Sequence, residues 1–193
     1  MSPRSERSFC VSFGFCLLTA WFAAVNGWRL TVLVLGAAAV HELGHWSVLK
    51  ALGARVLGLR ISALGAVLAV DSRGLSYGKE LAVTLAGPAA NLLSAVVLAG
   101  AGMETAAGVH IVLSAFNLLP IRPLDGGRAL HLAASWLLGP AAGEAAARWI
   151  GAVTAAGLAA GLYWVMVKSG GSLWLLPAAV GALCAAGREC FGK

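Results

Sequence analysis

A backbone surrounded by lipid must satisfy its own hydrogen bonds, so a chain with long apolar stretches has few architectures open to it. Such stretches occur here at about residues 9–25, 30–52, 80–100, 108–138, 145–167 and 173–187. Only 11% of the 193 residues are charged and 60% are hydrophobic, where soluble domains carry about 25% charge. The pattern predicts an all-α integral membrane protein of about six transmembrane helices, one polytopic domain over residues 1–193 with its core at 30–138. The net charge of +6 would suggest nucleic acid in a soluble protein. Here the basic residues sit beside apolar runs, so anionic lipid headgroups are the expected partner and nucleic acid is not.

Lys and Arg also set the orientation. Arg4 and Arg7 precede the first run, Lys50, Arg55, Arg60, Arg73 and Lys79 follow the second, and Arg188 and Lys193 close the chain. The segment 100–108 has none, so both termini are expected on the cytoplasmic side, in a bacterial cytoplasmic membrane. The first run lacks an A-x-A cleavage pattern and is expected as a retained span. Cys10, Cys16, Cys184 and Cys190 have no metal or disulfide spacing and are expected as small buried apolar residues.

The second run contains His41-Glu42-Leu43-Gly44-His45. On a helix, residues four apart lie one above the other on the same face, so both imidazoles can reach one metal ion. Glu42 is then the candidate general base for the attacking water. Three ionisable groups in a lipid-length segment are costly unless they pair or bind something. Their presence there is itself a functional signal.

Residues 55–71 are rich in β-branched residues and broken by Gly58 and Gly65, which predicts a short membrane-associated β-hairpin between the second and third helices. Either it is a structural plug or its edge strand pairs with an extended substrate. The third run carries Gly87-Pro88-Ala89-Ala90-Asn91, which predicts a kink and a close helix approach. Asn91 there either hydrogen-bonds between helices or lines the site. The fourth run, 108–138, is too long for one straight span. Pro120, Pro123, Gly126 and Gly127 break it, so Asp125 can open its second half. Broken helices at depth are where membrane proteins build sites. Asp125 would supply an oxygen ligand beside the two imidazoles, and Asn117 could hydrogen-bond a substrate backbone or an oxyanion. Arg128 is read as an anchor or a partner for Asp125. His110 and His131 lack metal-ligand spacing and are read as ordinary polar positions.

Taken together, His41-Glu42-Leu43-Gly44-His45, Gly87-Pro88-x-x-Asn91, and Asn117-Leu118-Leu119-Pro120 leading to Pro123-Leu124-Asp125-Gly126-Gly127-Arg128 resemble the site-2 proteases over roughly residues 30–135. The resemblance implies zinc, one ion per chain, held by His41, His45 and Asp125, with Glu42 as general base and Asn117 and Asn91 lining the substrate site. It implies an intramembrane endopeptidase acting on a membrane-associated protein, with room for a membrane regulatory partner. The compact layout looks like the stage IV sporulation protein FB subgroup, and neither that subgroup's CBS domain nor the PDZ domains of other branches is expected here. Two rival readings are a metal-binding membrane transporter and a catalytically silent membrane-binding homologue.

Overall fold

The computed structural model describes residues 8–62, 65–71 and 75–169, together with Cys184 and Gly187. The chain divides into two compact units, Met1–Ser114 and Ala115–Lys193.

The first unit begins with strand β1 (Ser8–Val11) and helix α1 (Phe13–Asn26), then α2 (Trp28–Ala51). Strands β2 (Arg55–Ser62) and β3 (Gly65–Asp71) follow, then α3 (Tyr77–Gly100) and the start of α4 (Glu104–Asn117). The sheet has the order β1-β2-β3, with β1 parallel to β2 and β2 antiparallel to β3. The register shifts between Val56 and Gly58, at one of the two glycines that interrupt the β-branched stretch.

The first apolar run departs from the expectation of a span over 9–25. Its opening residues are in β1, and Ser12 caps the helix by accepting from the Phe15 amide at 3.2 Å. Gly27, at φ +83°, ends it after 14 residues. At about 1.5 Å per residue that is about 21 Å, short of a hydrocarbon core of about 30 Å. Among the described residues, three helices are long and apolar enough to cross a membrane: α2, α3 and α6 (Pro140–Lys168). The expected last span, 173–187, lies almost wholly outside the described residues.

Much of the helical surface is exposed and apolar, as a lipid-facing surface must be. Leu93, Val96 and Val97 on α3, Val112 on α4 and Val153 on α6 are each about 70% exposed. Cys16 and Cys184 belong to that exposed surface rather than to the core, since packing in lipid rewards small residues at helix contacts, not apolar ones in general. Polarity is turned inward instead. Thr84, Asn91 and Ser114 are among the most deeply buried side chains.

The α2–α3 contact explains this inversion. A Cβ on Gly44 would stand 2.6 Å from the Ala86 carbonyl oxygen and 2.8 Å from the Ala90 Cβ, so only glycine allows this approach. Helix α3 runs through Pro88 without interruption. Ser114 on α4 donates to the Pro88 carbonyl at 3.0 Å, fastening α4 to α3.

In the second unit the fourth apolar run is divided, as its prolines and glycines predict. Helix α4 stops at Asn117 and α5 runs Asp125–Leu138, starting at the residue expected to open the second half. Between them the chain turns back on itself, with Leu119 N–H donating to Phe116 O at 3.1 Å and Leu124 N–H to Ile121 O at 2.8 Å. The Arg122–Pro123 peptide is cis. A Cβ on Gly126 would overlap the Leu118 carbonyl, and one on Gly127 would lie 2.6 Å from the Ile121 carbonyl carbon. The paired glycines are what let the turn close over the first turn of α5. Helix α6 packs on α5, where Gly143 leaves room for Ser135.

Gly44→Val forces α2 from α3 and is expected to lower stability by about 1–3 kcal/mol. Gly36→Ala, with open space around it on the same helix, should be neutral or mildly stabilising. Thermal unfolding of the two variants in detergent checks the contrast.

Candidate metal centre

His41 and His45 are both buried on α2, one helical turn apart, with their rings edge to face at a centroid distance of 4.8 Å. Their Nε2 atoms are 3.1 Å apart. Two nitrogens about 2.0–2.1 Å from a tetrahedral zinc stand about 3.3 Å from each other, so the pair already has the separation that a shared ion requires.

Each ring is held from behind. His45 Nδ1 is 2.8 Å from the Val83 carbonyl oxygen, which can only accept. The proton of a neutral His45 is therefore on Nδ1, and Nε2 presents its lone pair to the centre. His41 Nδ1 is 3.3 Å from the Asn91 side-chain nitrogen. Asn91 is fully buried and its oxygen lies 3.1 Å from His110 Nδ1.

Gly87 supplies the space. A Cβ there would overlap His45 Nε2 and lie 2.8 Å from His41 Nε2. A side chain at this position would fill the cradle toward which both nitrogens point. The geometry fits a metal: two Nε2 atoms at a shared-ion separation, a tautomer fixed on His45 that leaves its Nε2 lone pair free, and room beside both.

Glu42 follows His41 on α2 and is half-buried. The remaining predicted residues are in the second unit. Asn117 is the last residue of α4, half-buried. Asp125 is the first residue of α5, also half-buried. Arg128 is exposed one turn later.

Three residues matter more than their sequence context suggested. His110, read as an ordinary polar position, is buried and hydrogen-bonded into the His41–Asn91 pair. The available signal was cost: a third histidine in an apolar run needs a partner as much as the first two do. Arg122 forks onto Glu144 at 2.9 and 2.7 Å and so ties the turn before Asp125 to α6. Glu144 Oε2 also comes within 3.2 Å of His131 Nδ1. No local pattern in the sequence pairs residues 22 apart, so this clamp was not legible there.

No family model matches the chain. It is 30% identical to Rip3 of Mycobacterium tuberculosis, named as a zinc metalloprotease, over 60% of this chain and 32% of that one. It is 28% identical to the zinc metalloprotease MJ0392 of Methanocaldococcus jannaschii over 53% of this chain and 33% of that one. The matched region thus spans about a third of the length of these curated relatives. Among solved structures, the site-2 protease from Methanocaldococcus jannaschii superposes with a TM-score of 0.65 at 23% identity, covering 91% of this chain and 85% of that one. The fold is that of a site-2 protease, in agreement with the resemblance read from the sequence.

Gly87→Ala pushes a methyl group onto both Nε2 atoms. Zinc affinity, measured by chelator competition on purified protein, is expected to fall at least tenfold while helical content is retained.

Proposed function

We propose that this chain is a site-2 protease: a single polytopic membrane domain that uses zinc to hydrolyse a peptide bond in or near the membrane-embedded segment of a membrane-associated protein. The observation that carries the reading is the pair of buried imidazoles with Nε2 atoms 3.1 Å apart beside Gly87, on a motif that places Glu42 next to the first of them. Relatives named as zinc metalloproteases and the shared fold support it.

By the resemblance, His41, His45 and Asp125 would hold the ion with two nitrogens and one carboxylate, which would leave a tetrahedral site one open position. Zinc bound there would lower the pKa of a water toward neutrality and would polarise the scissile carbonyl. Glu42 takes the proton from the attacking water and returns it to the leaving amine, so one carboxylate serves as base and then as acid. Asn117 hydrogen-bonds the substrate backbone near the reacting carbonyl, and Asn91 acts on the site through His41.

A helical substrate has its carbonyls hydrogen-bonded along the helix and must unwind before cleavage. Strand β3 stands at one edge of the sheet and offers its backbone to an extended segment, the mode by which strands commonly capture peptides. Both termini are cytoplasmic in this reading, with about six membrane segments, and water reaches the site from that side.

Co-expression of wild type or Glu42→Gln with a panel of single-span membrane proteins tests this. New termini mapped by mass spectrometry should appear with wild type and fall by about 10²–10⁴-fold with the variant, whose zinc content stays at one per chain. Equal cleavage by both proteins would overturn the assignment of Glu42. A wild-type protein that binds no zinc and cuts nothing would overturn the protease.

A further inference from the structure

We propose that His110 is a positioning residue for the metal centre, acting through Asn91 on His41. The inference rests on the zinc reading and concerns how that site is kept in its binding-competent form.

A neutral imidazole carries one proton. For His41 to offer its Nε2 lone pair to a metal, that proton must be on Nδ1, where it needs an acceptor. The Asn91 side chain is 3.3 Å from His41 Nδ1 and is in hydrogen-bonding reach of it. Its amide has one accepting end and one donating end, so turning the oxygen to His41 turns the NH2 to His110. His110 Nδ1, 3.1 Å from the amide, must then accept, which puts the His110 proton on Nε2. In the structure the amide stands the other way, with its nitrogen toward His41 and its oxygen toward His110. The two ends of an amide have the same shape, so a half-turn exchanges them without repacking.

His110 therefore selects between two settings of one chain. With Nδ1 unprotonated it accepts from Asn91 and holds the amide oxygen on His41, favouring metal. With Nδ1 protonated it donates to the amide oxygen and leaves His41 Nδ1 facing a donor, which opposes it. The chain is sealed: Asn91 is 0% exposed and His110 is 7% exposed, so water is not at hand to replace either partner. The Ser114–Pro88 hydrogen bond, one turn along α4, fixes the spacing between His110 and Asn91.

Zinc affinity of His110→Leu and His110→Asn, measured by chelator competition in detergent and compared with wild type, tests the proposal. Outer hydrogen-bond partners of ligating histidines are typically worth 10–100-fold in metal affinity. His110→Leu is expected to show a loss of that size, and His110→Asn, whose amide oxygen can accept at the same position, to recover most of it. The d–d spectrum of the cobalt(II)-substituted protein should change with Leu and return with Asn. A merely structural role would lower the melting temperature and leave the spectrum alone. A folded His110→Leu with wild-type affinity and spectrum overturns the proposal while leaving the protease reading intact, whereas a wild type that binds no zinc overturns both. Should His110→Leu fail to fold, ¹⁵N-histidine NMR of the zinc-loaded wild type decides. Its four histidines make assignment direct. An unprotonated His110 Nδ1 is expected, and a protonated one overturns the proposal.

Discussion

The close approach of α2 and α3 at Gly44, Ala86 and Gly87 is the constraint on which the metal centre depends. Lipid offers apolar side chains no reward for leaving it, so helices in a membrane are held by close packing of small residues and by buried hydrogen bonds. Here both act at one place. Gly44 lets the backbones meet, and the meeting carries His45 Nδ1 to the Val83 carbonyl and His41 Nδ1 to Asn91. The same small residues that make the contact leave the gap the imidazoles point into. A larger residue at Gly44 would disturb the helix contact, and one at Gly87 would block the donors themselves.

Burial makes the arrangement stringent. An imidazole in a solvated cleft can exchange its proton with water and offer either nitrogen. At 5% and 9% exposure, His41 and His45 take the tautomers their protein partners permit. Val83 can only accept, so His45 is fixed outright. Asn91 can do either, so the setting of His41 passes on to His110 on the next helix. A polar chain of this kind in a largely apolar protein ties the chemistry of the site to the packing of α3 against α4.

The second unit treats its carboxylate differently. Asp125 is placed by backbone rather than by side-chain relays: a turn closed over Gly126 and Gly127, and a helix that begins at that residue. The Arg122–Glu144 fork holds the turn to α6. The partners are 39% and 46% exposed, so the fork contributes geometry more than stability, on the order of 1 kcal/mol or less.

Local chemistry was legible in the sequence because it is carried by spacing. The i and i+4 histidines, the Pro–Gly break ahead of Asp125, and the lipid-length runs at α2 and α3 follow from helical period, ring constraints and hydropathy, and all three reappear as read. Span length at the N-terminus was not, because hydropathy cannot distinguish a strand joined to a short helix from one long helix; the Ser12 cap and Gly27 decide that. Nor could the sequence separate His110 from His131, two histidines in one apolar run. Their roles depend on which partner the fold brings to each, Asn91 for one and Glu144 for the other. What the chain could do was written in residue types and intervals along single helices. Which nitrogen of each ring faces the centre, and what holds it there, was decided only where α2, α3 and α4 meet, because a hydrogen bond between helices leaves no period in the sequence.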